Sequence, residues 1–200
     1  MPPKPHHPKP TTWSDFSARL SSALSASSAT GKLREDLSAL NAAQLEYILA
    51  HWPLWARPDQ LPPTVGRDGE AWRVWLILGG RGAGKTRAGA EWVRAKALGR
   101  ALDSMPGASW RSHAPHVRIA LVGETFADVR RVMIEGDSGL LAVHHASERP
   151  HFEPSKGQLV WKSGALAQIF SAEDPDSLRG PQFDAAWCDE VAKWRHPGRT

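Results

Sequence analysis

The sequence predicts an α/β fold, a sheet with flanking helices, and three observations carry that prediction. First, an apolar run of strand length, Trp72-Arg73-Val74-Trp75-Leu76-Ile77-Leu78, leads into Gly79-Gly80-Arg81-Gly82-Ala83-Gly84-Lys85-Thr86. That octet fits the G-x-x-x-x-G-K-[ST] pattern of a phosphate-binding loop. Second, Thr86 to Leu98 reads as a helix with Ala88, Trp92 and Ala95 on one stripe and Gly99 as its stop. Third, Phe183-Asp184-Ala185-Ala186-Trp187-Cys188-Asp189-Glu190 reads as a buried strand that delivers two carboxylates at its C-terminal end, where ligands collect in open α/β sheets.

Two hundred residues suit one α/β domain with a core of its own. The formal net charge of +4 permits contact with nucleic acid without demanding it. The single cysteine, Cys188, excludes an intramolecular disulfide, and no Cys/His spacing of a zinc site occurs. No apolar stretch has the length of a membrane span and the N-terminus lacks the apolar core of a secretory signal, so an intracellular protein without a membrane partner is the simplest expectation. The ten tryptophans are expected to fill the core and its edges.

From the N-terminus, residues 1 to about 12 are rich in Pro, His and Lys and cannot bury enough apolar surface to order themselves. The tail, with a weak helix around Ser14 to Leu24, extends to Thr30. Leu33 to Trp52 predicts one helix, with Leu37, Leu40, Leu45 and Ile48 at apolar positions. The prolines of Trp52-Pro53-Leu54-Trp55-Ala56-Arg57-Pro58-Asp59-Gln60-Leu61-Pro62-Pro63 then enforce irregular backbone. Residues 31–63 thus form an N-terminal arm, and 64–200 the main α/β part.

Beyond the loop helix, Pro106 to Pro115 reads as a connection and Val117 to Val122 as a buried strand ending at Gly123. Thr125 is a candidate N-cap for a helix with Val129, Val132 and Met133 inward and Gly136 at its end. Gln158–Trp161 and Ala165–Phe170 predict a hairpin around Lys162-Ser163-Gly164.

The residue types point to nucleotide chemistry. Glycines 79, 80, 82 and 84, with Ala83 between the last two, let the backbone curl around an anion so that N–H groups face a phosphate, with the positive end of the helix behind. Lys85 can reach β- and γ-phosphates of ATP, and the Thr86 hydroxyl can ligate Mg²⁺. Asp189 would help hold that Mg²⁺ and Glu190 would polarise the attacking water. Gln60 has the amide needed to read adenine, since it can donate to N7 and accept from the N6 amino group; the alternative is a surface glutamine. Arg81 either senses the γ-phosphate or turns to solvent. Arg179, in Ser177-Leu178-Arg179-Gly180-Pro181, either stabilises transition-state charge, in a neighbouring subunit's site, or is a surface loop arginine.

Taken together, Trp52 to Pro58 with Gln60, Trp75 through Thr86 to Val93, Ile119 to Thr125, and Ser177 to Glu190 resemble the large terminase subunit of tailed phages, prophages and gene transfer agents. The resemblance covers about residues 40 to 196. It implies a P-loop NTPase fold of the RecA-like class with an additional catalytic glutamate (ASCE), acting as a motor ATPase. Such a subunit forms a homo-oligomeric ring on the portal protein of a procapsid in the host cytoplasm, works with a small terminase subunit, and drives double-stranded DNA inward. By motif match Gln60 takes the adenine position, Arg81 the loop-arginine position, Lys85 and Thr86 the Walker A roles, Asp189 and Glu190 the Walker B roles, and Arg179 the trans-acting finger. Against that pattern the sheet is C-terminally incomplete: the strand that couples hydrolysis to movement and the nuclease domain have no counterpart in this sequence, which predicts exposed edges and marginal stability. Two other readings stand beside it, a nucleic-acid translocase such as a helicase, and a non-catalytic remnant or interaction fragment.

Overall fold

The structure, a computed structural model, describes residues 22–63, 65–99 and 116–195. The N-terminal tail with His6 and His7, the first part of the weak helix and the Pro106–Pro115 connection lie outside them.

An N-terminal arm comes first: α1 (22–29), α2 (Leu33–Ser38), α3 (Ala42–Ala50) and α4 (Trp52–Trp55). The single helix expected over Leu33 to Trp52 is therefore three short ones. Its last break lies at His51, which leaves helical geometry with ψ 84° two residues before Pro53. Proline has no N–H to give the preceding turn, so the helix ends and restarts with Pro53 inside its first turn. A 3₁₀ turn over Pro58–Gln60 follows.

The longest helix among the described residues, α5 (Lys85–Leu98), starts from Gly84 and closes on Gly99, both left-handed. Ala88, Ala90, Val93 and Ala97 are buried along it, so its small residues let it lie close to the sheet. Its flank carries an ionic chain: Arg87 pairs with Glu91 at 2.7 Å, Glu91 with Arg94 at 3.1 Å, and Arg94 with Glu148 at 2.9 Å. Arg94 also donates to the Ala50 carbonyl, tying the arm to α5. Each charge in this buried chain has a partner, as low-dielectric surroundings require.

Five strands follow: β1 (Arg118–Gly123), β2 (His151–Glu153), β3 (Gln158–Val160), β4 (Leu166–Ser171) and β5 (Ala185–Cys188). Their order is β2-β3-β4-β1-β5, with β1 parallel to both β4 and β5 and the β2-β3-β4 pairs antiparallel. The hairpin is as expected. Alternation along β1 builds two cores: Ile119 and Leu121 face α5, while Ala120 and Val122 face Phe170, Ala172 and Trp194. A third, small cluster packs Trp52 of α4 on Ala95. Of the tryptophans, Trp52, Trp161, Trp187 and Trp194 are buried.

Thr125 caps α6 (Phe126–Asp128) as expected, its side chain accepting from the Asp128 N–H. The helix then widens into a π turn over Val129–Ile134. That extra residue per turn changes which side chains face inward: Val129, Met133 and Ile134 are buried and Val132 points out, against the prediction for Val132. The last helix on this face is α7 (Leu140–Val143).

One element departs from expectation more strongly. Trp72 to Leu78 belongs to no sheet, and Val74, Leu76 and Leu78 are 82%, 71% and 82% exposed. A strand needs a ladder, and no ladder bond joins the backbone of residues 73–78 to the described strands. β5 likewise is not the buried strand expected. It lies at the sheet's edge, where only Trp187 is buried and Ala186 and Cys188 are exposed.

Candidate functional site

The parallel strands β4, β1 and β5 end at one edge of the sheet, and β5 extends by one bond, from the Asp189 N–H to the Val122 carbonyl. Asp189 and Glu190 therefore stand at that edge, as their sequence context predicts. Burial pushes the Asp189 carboxyl above its usual range and the neighbouring Glu190 charge adds to this, while Lys85 and Lys193 pull the other way. Lys85, far off in sequence, is thus within electrostatic reach of Asp189.

Glu190 has φ 52° and ψ 39°, and it alone among the described non-glycine residues has positive φ. Such backbone costs about 1–3 kcal/mol and persists only where neighbours hold it. Here Trp194, buried in the second core, donates its indole N–H to the Asp189 carbonyl at 3.1 Å and fixes the turn. The Glu190 carboxylate, half-exposed, faces Lys193 at 3.4 Å.

The glycine loop meets this edge through α5. A side chain at Gly89 would overlap the indole of Trp187, so the helix backbone packs directly on that ring of β5. Gly82 and Gly84 have φ 78° and 77°, a conformation that strains any side chain-bearing residue. Lys85 folds back over the loop, its Nζ donating to the carbonyls of Gly79 at 2.9 Å and Gly80 at 3.1 Å. Arg81 is exposed, and Thr86 lies in the first turn of α5.

Gln60 is buried, not a surface glutamine. Its Oε1 accepts the Arg57 N–H at 3.0 Å, and its amide nitrogen lies where a Gly84 side chain would be. Arg57, which the sequence did not single out, donates to the Ala83 carbonyl at 2.9 Å and grips Asp59 with two bonds. That guanidinium also holds the Asp59 carboxyl below its usual range. Arg179, by contrast, is paired with Asp176 of its own turn at 3.2 Å and is exposed. Among the described residues no group of three or more His, Cys, Asp or Glu could hold a metal ion, and no helix is long and apolar enough to cross a membrane.

The family model for the terminase large subunit, T4likevirus-type, N-terminal part, matches residues 76–200. This chain belongs to that family. The terminase match runs from the last residues before the glycine loop through Asp189 and Glu190, so both halves of the site lie inside it. No curated protein and no solved structure matches the chain. Membership gives this terminase chain a role in DNA packaging.

Proposed function

We propose that the chain carries the ATP-hydrolysing centre of a DNA-packaging motor, with Gly79 to Thr86 as its phosphate-binding loop. The observation that supports this reading is the packing of Gly89 of α5 against the Trp187 indole of β5, which favours one site shared by the loop and the end of β5. The loop amides and Lys85 would bind the β- and γ-phosphates, Lys85 exchanging its two loop carbonyls for phosphate oxygens. Gln60 is the candidate at the adenine, through its amide nitrogen and the remaining lone pair of Oε1.

Thr86 and Asp189 would hold Mg²⁺, which when bound supplies charge neutralisation at the phosphate oxygens. The donor set fits: Asp189 is a half-buried carboxylate whose charge is disfavoured by burial and then by Glu190, and a cation would relieve both. Glu190 would orient the attacking water and accept its proton, its half-exposed carboxylate standing just past the end of β5. Arg81 is proposed to sense the γ-phosphate. Arg179, exposed on its turn, is proposed to act in a neighbouring subunit of a ring. The portal protein, a small terminase subunit and double-stranded DNA are the proposed partners.

The test is steady-state ATP turnover with Mg²⁺. Lys85→Ala should abolish turnover, and Glu190→Gln should lower kcat by about a hundredfold or more while ATP still binds, as expected for losing a general base. Turnover indifferent to both changes would sink the reading. A second reading, a chain that binds nucleotide without turning it over, is favoured by the segment before the loop standing outside the sheet. Binding without turnover in the unsubstituted chain would support it.

A further inference from the structure

We infer that Arg57 is a positioning residue for the phosphate-binding loop, aiming the Gly84 N–H by holding the carbonyl of the same peptide. The Ala83 C=O and the Gly84 N–H share one planar peptide unit and point in opposite directions, so fixing one fixes the other. The Arg57 guanidinium holds that carbonyl at 2.9 Å. It is itself held by Asp59 through Nε at 3.1 Å and Nη2 at 3.0 Å, a two-bond grip that single-point ion pairs lack. The Gln60 amide nitrogen also lies against Gly84, and Gln60 is fixed by the Arg57 N–H. One short turn, Pro58–Gln60 with Arg57 before it, thus meets the Ala83–Gly84 peptide with one hydrogen bond, at the Ala83 carbonyl, and one packing contact, at Gly84.

The loop needs such a clamp. Gly82 and Gly84 hold left-handed backbone that only glycine adopts freely, and a loop of glycines loses its preorganised direction unless something outside it fixes the peptide planes. Gln60 and Arg57 then act on the phosphate side of the site, whatever Gln60 does at a base. The ligand named here rests on the nucleotide-site reading; the clamp itself does not.

The experiment compares the unsubstituted 200-residue chain with Arg57→Ala by two measurements. Titration with ATP and, separately, with inorganic tripolyphosphate should show both Kd values rising by the same factor, about tenfold for one charged hydrogen bond, with binding stoichiometry unchanged. Hydrogen exchange without ligand should quicken at the amides of 82–85 while those of β1 keep their protection. A loss confined to ATP would assign Arg57 to the base side and overturn the inference. So would a fall in stoichiometry at constant Kd, which marks a merely structural role, or unchanged exchange with unchanged affinities. If the unsubstituted chain binds neither ligand, the nucleotide reading fails, and the exchange result alone decides whether the clamp exists.

Discussion

Lys96 sits on α5 with its ammonium partly withdrawn from water, over the ring of Trp92 at 5.7 Å. Burial pushes its pKa down to about 8 from 10.5, with Asp184 opposing the shift. An unfolded chain binds this proton more tightly, so the charged lysine costs stability, fully below about pH 8, and the cost fades as pH rises through 8 toward 10.5. Lys96→Met should therefore stabilise the protein at pH 7 by about 1 kcal/mol, after allowing for screening of a half-exposed group. Unfolding midpoints measured at pH 7 and pH 10 should show the gain shrinking at the higher value. At the same scale, Arg57 shows what a sequence hides. Its neighbour Gln60 stands out because amides read bases, whereas a guanidinium among prolines has no meaning until the glycine loop is folded against it. Nor does the strain at Glu190 register in one dimension, since it depends on Trp194 reaching back to the Asp189 carbonyl.

Elements whose signals are local are the ones the sequence predicts well. α5 is bounded by glycines, the hairpin by its turn, α6 by its threonine cap, and β1 by unbroken burial. Departures arise where a neighbour decides. Trp72 to Leu78 has the composition of a strand, yet pairing is a property of two segments. The phase of the π turn depends on packing against Leu140 and the sheet rather than on its own pattern. The contact of α5 with β5 belongs to this scale as well. Glycine inside a helix costs about 1 kcal/mol relative to alanine, and its place at 89 is explained by the Trp187 ring lying where a side chain would be. Gly89→Ala should therefore destabilise the protein, by about 1–3 kcal/mol from overpacking less the helix gain, in a urea titration. Gly89→Ala with Trp187→Leu should recover part of that loss, which two independent sites would not do.

At the scale of the molecule, the outer edge of β5 and the apolar row of Val74, Leu76 and Leu78 face solvent among the described residues. Open edges and exposed apolar strands recruit other strands, so the purified chain should self-associate with rising concentration. Leu76→Lys should reduce that association in sedimentation velocity. It should leave the unfolding midpoint within about 0.5 kcal/mol, because the leucine it replaces makes little buried contact. A chain with unchanged association would assign the contact to another surface.

The close seating of Gly89 on Trp187 also constrains the order in which substitutions can accumulate. A side chain at 89 is tolerated only once the indole at 187 has been replaced by something smaller, while loss of the indole first leaves a void that alanine at 89 can partly fill. Of the two mutational paths between the present pair and a side chain-on-small-residue pair, one begins with a clash at the site and the other with a cavity. Either first step is destabilising, so drift along this family should change positions 89 and 187 as a pair rather than singly.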